Sequence, residues 1–574
     1  MATKIDKIKL AQTINDLPDL DSETKSQLLQ LIHERKQYGL VWEEHHEEIE
    51  QQMRTQLPVL VEDKSKFIDS ADPHAPNHIL IEGDNLPALT TLTYTHKEKI
   101  DVIYIDPPYN TGNKDFIYND HFVGTDDDYR HSKWLSFMSK RLRIAKTLLS
   151  EKGVIFISID DNEQAQLKML CDEILGESNF LGEFIHQRAK GGGQAKHIVK
   201  GHDYILCYAH DADVASISRP KVIQQGIVVH NGIECLRNDD VIRKTFGKYD
   251  KTLGDRRCFY EELLQYKGQE KKDEVDALIA NGTYTLEKNK MGMHTIVEYI
   301  PISSARSKHY SIIKVLSEEG KKELEELGIS DFDYPKPLEL IRLLVGSVYK
   351  TNSTILDFFA GSGTTLHATM QLNAEDGGHR QCILITNNEN HICEEVTYER
   401  NKRVIQGYTT PKGESVAGLT ANKLRYYRTD FVARESSLTA KKQLMLAATD
   451  LLCIKESIYT ECHTFGNLRL RSSVVRYFAD ADARMLIIYN PDAIDTIVAE
   501  ISRMNIVSPI RIYVFSANDY AYNADFETVD NKVSLCALPA AIYNAYRKVL
   551  PKKQQTQDEP ATTDTELTFE EDTL

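Results

Sequence analysis

Five apolar runs, each stopped by an acid or an amide at a turn, constrain this chain more than any other feature. They are HILIEGDN (78–85), DVIYIDPPYN (101–110), GVIFISIDDNE (153–163), STILDFFAGSGTT (353–365) and QCILITNNEN (381–390). The runs are continuous and rich in β-branched residues, and amphipathic helical stretches such as SKWLSFMSKRLRIAKTLL separate them. That grammar predicts buried parallel strands in a doubly wound α/β sheet. Ligands of such sheets bind beyond the carboxyl ends of the strands, and Asp84, Asp106 and Asp160 all fall at such ends.

A chain of 574 residues is too long for one core and implies three or four folded units. With 69 basic against 86 acidic residues, its net charge of −17 excludes a general coat of positive potential, so a polyanion must meet a local basic patch. The nine cysteines form no close pairs, which argues against a disulfide framework or a zinc site. No metal is expected. His45-His46 sits among glutamates and reads as a solvated helix face. The amino terminus lacks an apolar signal region and no run is long enough to span a bilayer, so no membrane association and a cytoplasmic location are expected.

Two turns carry chemistry. At 357–365, a strand ending in Asp357 enters Phe359-Ala360-Gly361-Ser362-Gly363-Thr364-Thr365 and then a helix, an arrangement that aims backbone N–H groups at a ligand. The spacing is neither a dinucleotide fingerprint nor a phosphate loop with its lysine. At 106–109, Asp106-Pro107-Pro108-Tyr109 ends a strand with a rigid acid-and-aromatic turn. An exocyclic amine of a nucleobase is a weak nucleophile, so a catalyst must accept its N–H bonds and hold it in line. Asp106 can accept one N–H, the Pro107 carbonyl the other; Pro107-Pro108 fixes the backbone and Tyr109 offers a stacking face.

With these motifs in this order the chain resembles the DNA amino-methyltransferases that use S-adenosylmethionine, and among them the methylation (Mod) subunits of type III restriction-modification systems. The resemblance rests on GDN (83–85), DPPYNTG (106–112), SKWLSFMSKRL (132–142), GVIFISIDDNE (153–163), HDYILCYA (202–209), YPKPLELI (334–341), DFFAGSGTT (357–365) and TNNEN (386–390). DPPY precedes FAGSGTT, as in the permuted β group, whose target-recognition domain lies between the two. The resemblance implies a Rossmann-like methyltransferase sheet with a helical extension over 1–65, a catalytic half over 66–214, a recognition domain over 215–305, a donor-binding half over 306–415, a small α/β unit over 425–550 and a disordered acidic tail over 551–574. It implies that Asp106, Pro107, Pro108 and Tyr109 hold the target base. The donor would be bound by Asp84, Asp106, Lys336, Asp357, Phe359, Gly361, Gly363, Thr364 and Glu389, with Glu389 on the ribose hydroxyls and Asp84 near the adenine. His202 is read as structural.

The implied activity is methyl transfer to adenine N6 in duplex DNA, with a homodimer and a separate helicase-nuclease restriction subunit as partners. Asp106 favours adenine over cytosine N4, whose enzymes usually begin this turn with Ser. An orphan methyltransferase or a non-catalytic DNA-binding subunit are the alternatives. The basic stretch VIRKTFGKYDKTLGDRR places Arg243, Lys244, Lys248, Arg256 and Arg257 as phosphate contacts, with Arg188, Lys190, Lys196 and Lys200 of the glycine-rich loop as a second set.

Overall fold

The computed structural model describes residues 42–551, apart from 114, 120, 192–196, 222–226, 246–254, 436, 481–482, 519, 521 and 548. A short helix, α1 (Glu48–Thr55), leads directly into strand β1 (Gln56–Glu62). The sequence predicts helix through residue 65. The run Leu57-Pro58-Val59-Leu60-Val61 forms a strand instead, because β-branched residues pack on a pleated surface and Pro58 is tolerated in the outermost strand.

Then come β2 (Asn77–Glu82), α2 (Asn85–Thr95), β3 (Ile100–Ile105), α3 (Arg130–Leu148), β4 (Leu149–Ile159), α4 (Gln164–Cys171), β5 (Phe180–Gln187) and β6 (His202–Ala209). An inserted unit holds β7 (Ile227–His230), β8 (Ile233–Asn238), α5 (Leu263–Ala280), β9 (Tyr284–Lys288) and β10 (His294–Pro301). Its strands pair antiparallel in the order β7-β8-β10-β9. The chain then returns through β11 (Ile312–Ile313), α6 (Leu338–Val345), β12 (Thr354–Asp357), α7 (Thr364–Asp376), β13 (Gln381–Thr386), α8 (Glu399–Gln406) and β14 (Lys423–Ala433).

These elements build one ten-stranded sheet, ordered β1-β14-β2-β13-β12-β3-β4-β6-β5-β11. From β14 to β4 every neighbouring pair is parallel. From β12 the chain crosses through α7 to β13 on one side; from β3 it crosses through α3 to β4 on the other. The switch point therefore lies between β12 and β3, where Leu356 pairs with Ile103 and both strands open toward one edge. Both sequence-identified turns leave from that edge.

Helices cover both faces, with Trp134 and Leu142 of α3 in one apolar layer and Leu340, Ile341 and Leu366 of α6 and α7 in the other. Helix α2 is buried on all sides from Leu86 to Thr95, because a five-stranded C-terminal sheet, Glu461 to Leu538, and its helices pack against its outer surface. Each fully buried leucine there contributes roughly 1.5–3 kcal/mol. One face of the C-terminal unit thus shares a core with the main sheet while its other face holds a separate apolar cluster, and residues 423–433, expected near the start of that unit, join the main sheet as β14. The expected tail lies outside the described residues beyond 551. Among the described residues, no helix is long and apolar enough to cross a membrane, and no group of three His, Cys, Asp or Glu could hold a metal.

Candidate functional site

The wholly buried strand β3 delivers Asp106-Pro107-Pro108-Tyr109 to the switch point. Trp134 of α3 donates its indole N–H to the Pro108 carbonyl at 2.8 Å, which ties the turn to the helix beneath it. The Tyr109 hydroxyl donates to Asp106 Oδ1 at 3.0 Å and accepts from Lys336 Nζ at 2.6 Å. Lys336 Nζ also lies 3.0 Å from Asp106 Oδ1 and 4.9 Å from the Tyr109 ring centroid. Burial, with the Asp106 charge beside it, holds the Tyr109 hydroxyl well above its ordinary pKa, so it remains a donor. The acid, ring and cation form a closed triangle over the catalytic turn.

The glycine turn is braced from behind. Asp357 accepts from the Thr365 hydroxyl at 2.6 Å and from the Phe359 N–H at 3.0 Å, and burial raises its carboxyl to about 7. Gly363 has φ of +75°, and a Cβ there would lie 2.5 Å from Asn401 Nδ2, so only glycine lets α8 approach this closely. From the segment after β13, Arg400 donates to Thr364 Oγ1 at 2.7 Å and Asn401 to the Gly363 carbonyl at 3.3 Å. Arg400 is fully buried. Sequence reasoning missed both residues. An arginine and an asparagine on a helix followed by the apolar pair Val404-Ile405 were the available signal.

Between the turns lies a cavity of about 350 Å³. Asp84, Pro108, Phe359 and Glu389 line its sheet side, and Phe137 and Phe358 supply further aromatic wall. Its outer side comes from Glu47, Ile49, Phe116 and Tyr118, an unexpected use of the segment before β1 and of a small hairpin. The Asn119 side chain pins that hairpin, accepting from the Glu48 N–H at 2.9 Å and donating to the His46 carbonyl at 3.1 Å. Arg141, with no exposed side-chain surface, makes two 2.9 Å bonds to Glu47, approaches Asp84 at 3.4 Å and lies 3.5 Å above the Phe137 ring. Asp84 also caps α2 through the Leu86 N–H at 2.7 Å, and burial raises its carboxyl while Arg141 opposes that rise. Of the residues assigned to the donor, Asp84, Phe359 and Glu389 line this cavity. Asp106, Asp357, Gly361, Gly363 and Thr364 are not part of its lining, and the Lys336 ammonium sits on Asp106 in the 106–109 turn.

A family model described as DNA methylase matches residues 100–400, which span both turns and the inserted unit. The chain belongs to the DNA methylase family. It is 33% identical over 354 residues to the StyLTI Mod subunit of a type III restriction-modification enzyme from Salmonella typhimurium, covering 54% of this chain and 52% of that one. It is 33% identical over 360 residues to the type II methyltransferase M.KpnI of Klebsiella pneumoniae, covering 57% and 84%. It is 33% identical over 395 residues to the EcoPI Mod subunit of Escherichia phage P1, covering 58% and 60%. The chain thus spans about half the length of the StyLTI subunit. Among solved structures, the cytosine-N4-specific PvuII DNA methyltransferase matches with a TM-score of 0.32 at 11% identity, covering 58% of this chain and 90% of that one.

In this DNA methylase the described cations of the basic stretch in the inserted unit are already paired with carboxylates. Arg243 pairs with Asp240 at 2.8 Å, Arg256 pairs with the same carboxylate, and Arg257 bonds Asp239 at 2.8 Å and Asp255 at 2.6 Å. Lys244 is buried against Phe259 and Tyr266 and pairs with Glu262 at 2.8 Å. Two of these acids, Asp239 and Asp240, precede the stretch whose charges the sequence count took. Arg188 pairs with Asp203 and Lys200 with Asp161, both at 3.1 Å, whereas Lys190 is exposed without an ion pair among the described residues. Lys196 and Lys248 lie outside the described residues. Different cations stand free. Residues 299–317 contain no acid, and Lys308 and Lys314 are exposed without an ion pair among the described residues. Between them Tyr310 is 74% exposed, and the Arg219 guanidinium lies 5.1 Å from its ring.

Proposed function

We propose that this methylase transfers a methyl group from S-adenosylmethionine to adenine N6 in a specific duplex DNA site, as the modification subunit of a type III system. The observation that carries the reading is the meeting of the two turns at the switch point, with one cavity reaching from Asp84 and Glu389 to Pro108. The lining suits the donor. Aromatic walls fit an adenosine, carboxylates at Asp84 and Glu389 can accept from its amine and hydroxyls, and an acid-lined cavity tolerates a sulfonium cation. When bound, S-adenosylmethionine supplies an electrophilic methyl group.

The protein's part is to present the amine. A target adenine turned out of the duplex enters over Tyr109, and one of its N–H groups replaces Lys336 and the Tyr109 hydroxyl on Asp106. Asp106 and the Pro107 carbonyl accept the two N–H bonds and aim the nitrogen lone pair at the methyl group. The N–H proton then leaves toward Asp106. Cytosine-C5 chemistry would require a Pro-Cys nucleophile, and the sequence contains no such dipeptide. DNA phosphates lie along Lys308, Lys314 and the exposed Tyr310, where cations lack carboxylate partners.

The StyLTI and EcoPI Mod similarities support type III membership; a homodimer, a cytoplasmic location and a separate restriction subunit belong to the same proposal. The coverage of M.KpnI at 84% supports the second reading, a methyltransferase that works alone. Long-read mapping of methylated bases in a methylation-free host tests the activity: one asymmetric motif carrying N6-methyladenine with the wild type, and none with Asp106→Ala, is the expected outcome. Co-purification with a helicase-nuclease chain separates the two readings.

A further inference from the structure

A second carboxyl lies behind the catalytic turn. Asn110, the residue after Tyr109, is fully buried and adopts φ of +57°, a left-handed conformation that needs support even from asparagine. Its side-chain amide donates to Glu163 Oε1 at 2.6 Å and to the Arg130 carbonyl at 3.2 Å. Glu163, just beyond β4, has no exposed side-chain surface. His131 Nδ1 also lies 2.6 Å from Glu163 Oε1. Arg130 Nε donates to His131 Nε2 at 3.2 Å, which places the imidazole proton on Nδ1 and makes His131 a second donor to Glu163. Glu163 Oε2 is buried and, among the described residues, has no partner.

We propose that Glu163, acting through Asn110, is the positioning residue that sets the Asp106–Tyr109 turn, and that its neutral acid is the working form. The inference rests on the methyl-transfer reading above. Two donors converge on one oxygen and none reaches the other. A neutral acid keeps both donors on its carbonyl oxygen and leaves one buried O–H without an acceptor; a carboxylate leaves a charge and a bare oxygen in the interior, which is the larger cost. Burial raises the Glu163 carboxyl to about 8, with Asn110 and Arg130 opposing the rise and Asp160 adding to it. These, with His131, are the polar and charged groups that face it. The turn is therefore held at three points: Trp134 on Pro108, Arg130 on Asn110, and Glu163 on Asn110. Ionisation places a charge with a bare oxygen in the interior, and admitting water or a cation to that oxygen shifts Glu163, with Asn110 still bonded to it and carried along. Tyr109, one residue away, moves with it.

The linkage has a definite sign. A folded-state value near 8 above the ordinary 4.5 means the native protein binds the extra proton, so stability is full below about 4.5 and declines as pH rises toward about 8. Initial rates of transfer from tritiated S-adenosylmethionine to unmethylated genomic DNA, between about pH 6.5 and 9.5, test the proposal for the wild type, Glu163→Gln and Glu163→Ala. The same proteins are followed by thermal melting and by calorimetry of donor binding. Glu163→Gln is expected to stay within roughly threefold of wild type at neutral pH and to lose the alkaline fall of the rate. Glu163→Ala should lower kcat at least about tenfold with donor Kd within about threefold. Superimposed pH profiles for wild type and Glu163→Gln overturn the proposal, as does an unchanged kcat in Glu163→Ala. Should the alanine variant not fold, the glutamine comparison decides alone. If the wild type transfers nothing to any DNA, the functional reading falls instead. The melting curves then judge the brace, which parallel pH dependences of wild type and Glu163→Gln would overturn.

Discussion

The Lys336 ammonium stands 3.0 Å from Asp106 Oδ1, so a cation from the KP segment occupies the carboxylate that the proposed mechanism assigns to the target amine. Entry of a base has to break this contact and the Tyr109 hydroxyl bond to the same oxygen. Lys336→Met removes the ammonium but keeps the length of the side chain. Because that ammonium touches Asp106 and Tyr109 and lies outside the cavity lining, the variant should lower single-turnover methylation about tenfold and leave donor Kd within about threefold. A matching loss of donor affinity by calorimetry would return Lys336 to the donor site.

Asp106 and Tyr109 should separate in kinetics. Under the proposed mechanism, Asp106→Asn removes the charged acceptor of the reacting amine and should cost about 10²–10³ in kcat. Tyr109→Phe keeps the ring and loses only the hydroxyl that bonds Asp106 and Lys336, so its effect should be about tenfold or less. Tyr109→Ala loses the stacking face, worth roughly 1–3 kcal/mol per base, and should appear chiefly as weaker DNA binding. Titration of DNA binding alongside single-turnover rates checks all three.

The Glu47–Arg141 pair predicts an energetic coupling. With both groups buried and two 2.9 Å bonds between them, Glu47→Ala leaves a guanidinium short of its main partner. Breaking such a pair costs about 3–5 kcal/mol, whereas Glu47→Ala with Arg141→Met should cost clearly less than the sum of the single changes. Denaturant unfolding of the four proteins measures this. Donor affinity should fall in Glu47→Ala as well, since Glu47 lines the cavity.

The main sheet and its two turns were legible because their signals are local. Continuous apolar runs ending in Asp106 and Asp357 specify buried strands, and two prolines or closely spaced glycines specify the turns that follow. What escaped depends on residues far apart in the chain. Glu47 meets Arg141, Asn110 meets Glu163, and Arg400 meets Thr364; each pairing is a product of packing that no spacing rule encodes. Pro58 shows the opposite failure, where helical periodicity before it masked a strand whose edge position makes a proline acceptable. The charge count over 241–257 missed the pairing of its arginines for a simpler reason, that ion pairs ignore the limits of a window. Asp239 and Asp240 sit just before it.

That last point sets a test of where DNA lies. Cations already paired with carboxylates gain little from a phosphate, because the existing pair must be given up first; unpaired ones release counterions from DNA at full effect. Lys308→Ala and Lys314→Ala should each reduce the slope of log affinity against log salt by about 0.9, the contribution of one phosphate contact to duplex DNA. Arg257→Ala, whose guanidinium is held by Asp239 and Asp255, should leave that slope unchanged. Tyr310→Ala should weaken binding with no change in slope, because it removes a ring and no charge. Slopes that fall with Arg257 and hold with Lys308 and Lys314 would move the DNA backbone onto the inserted unit.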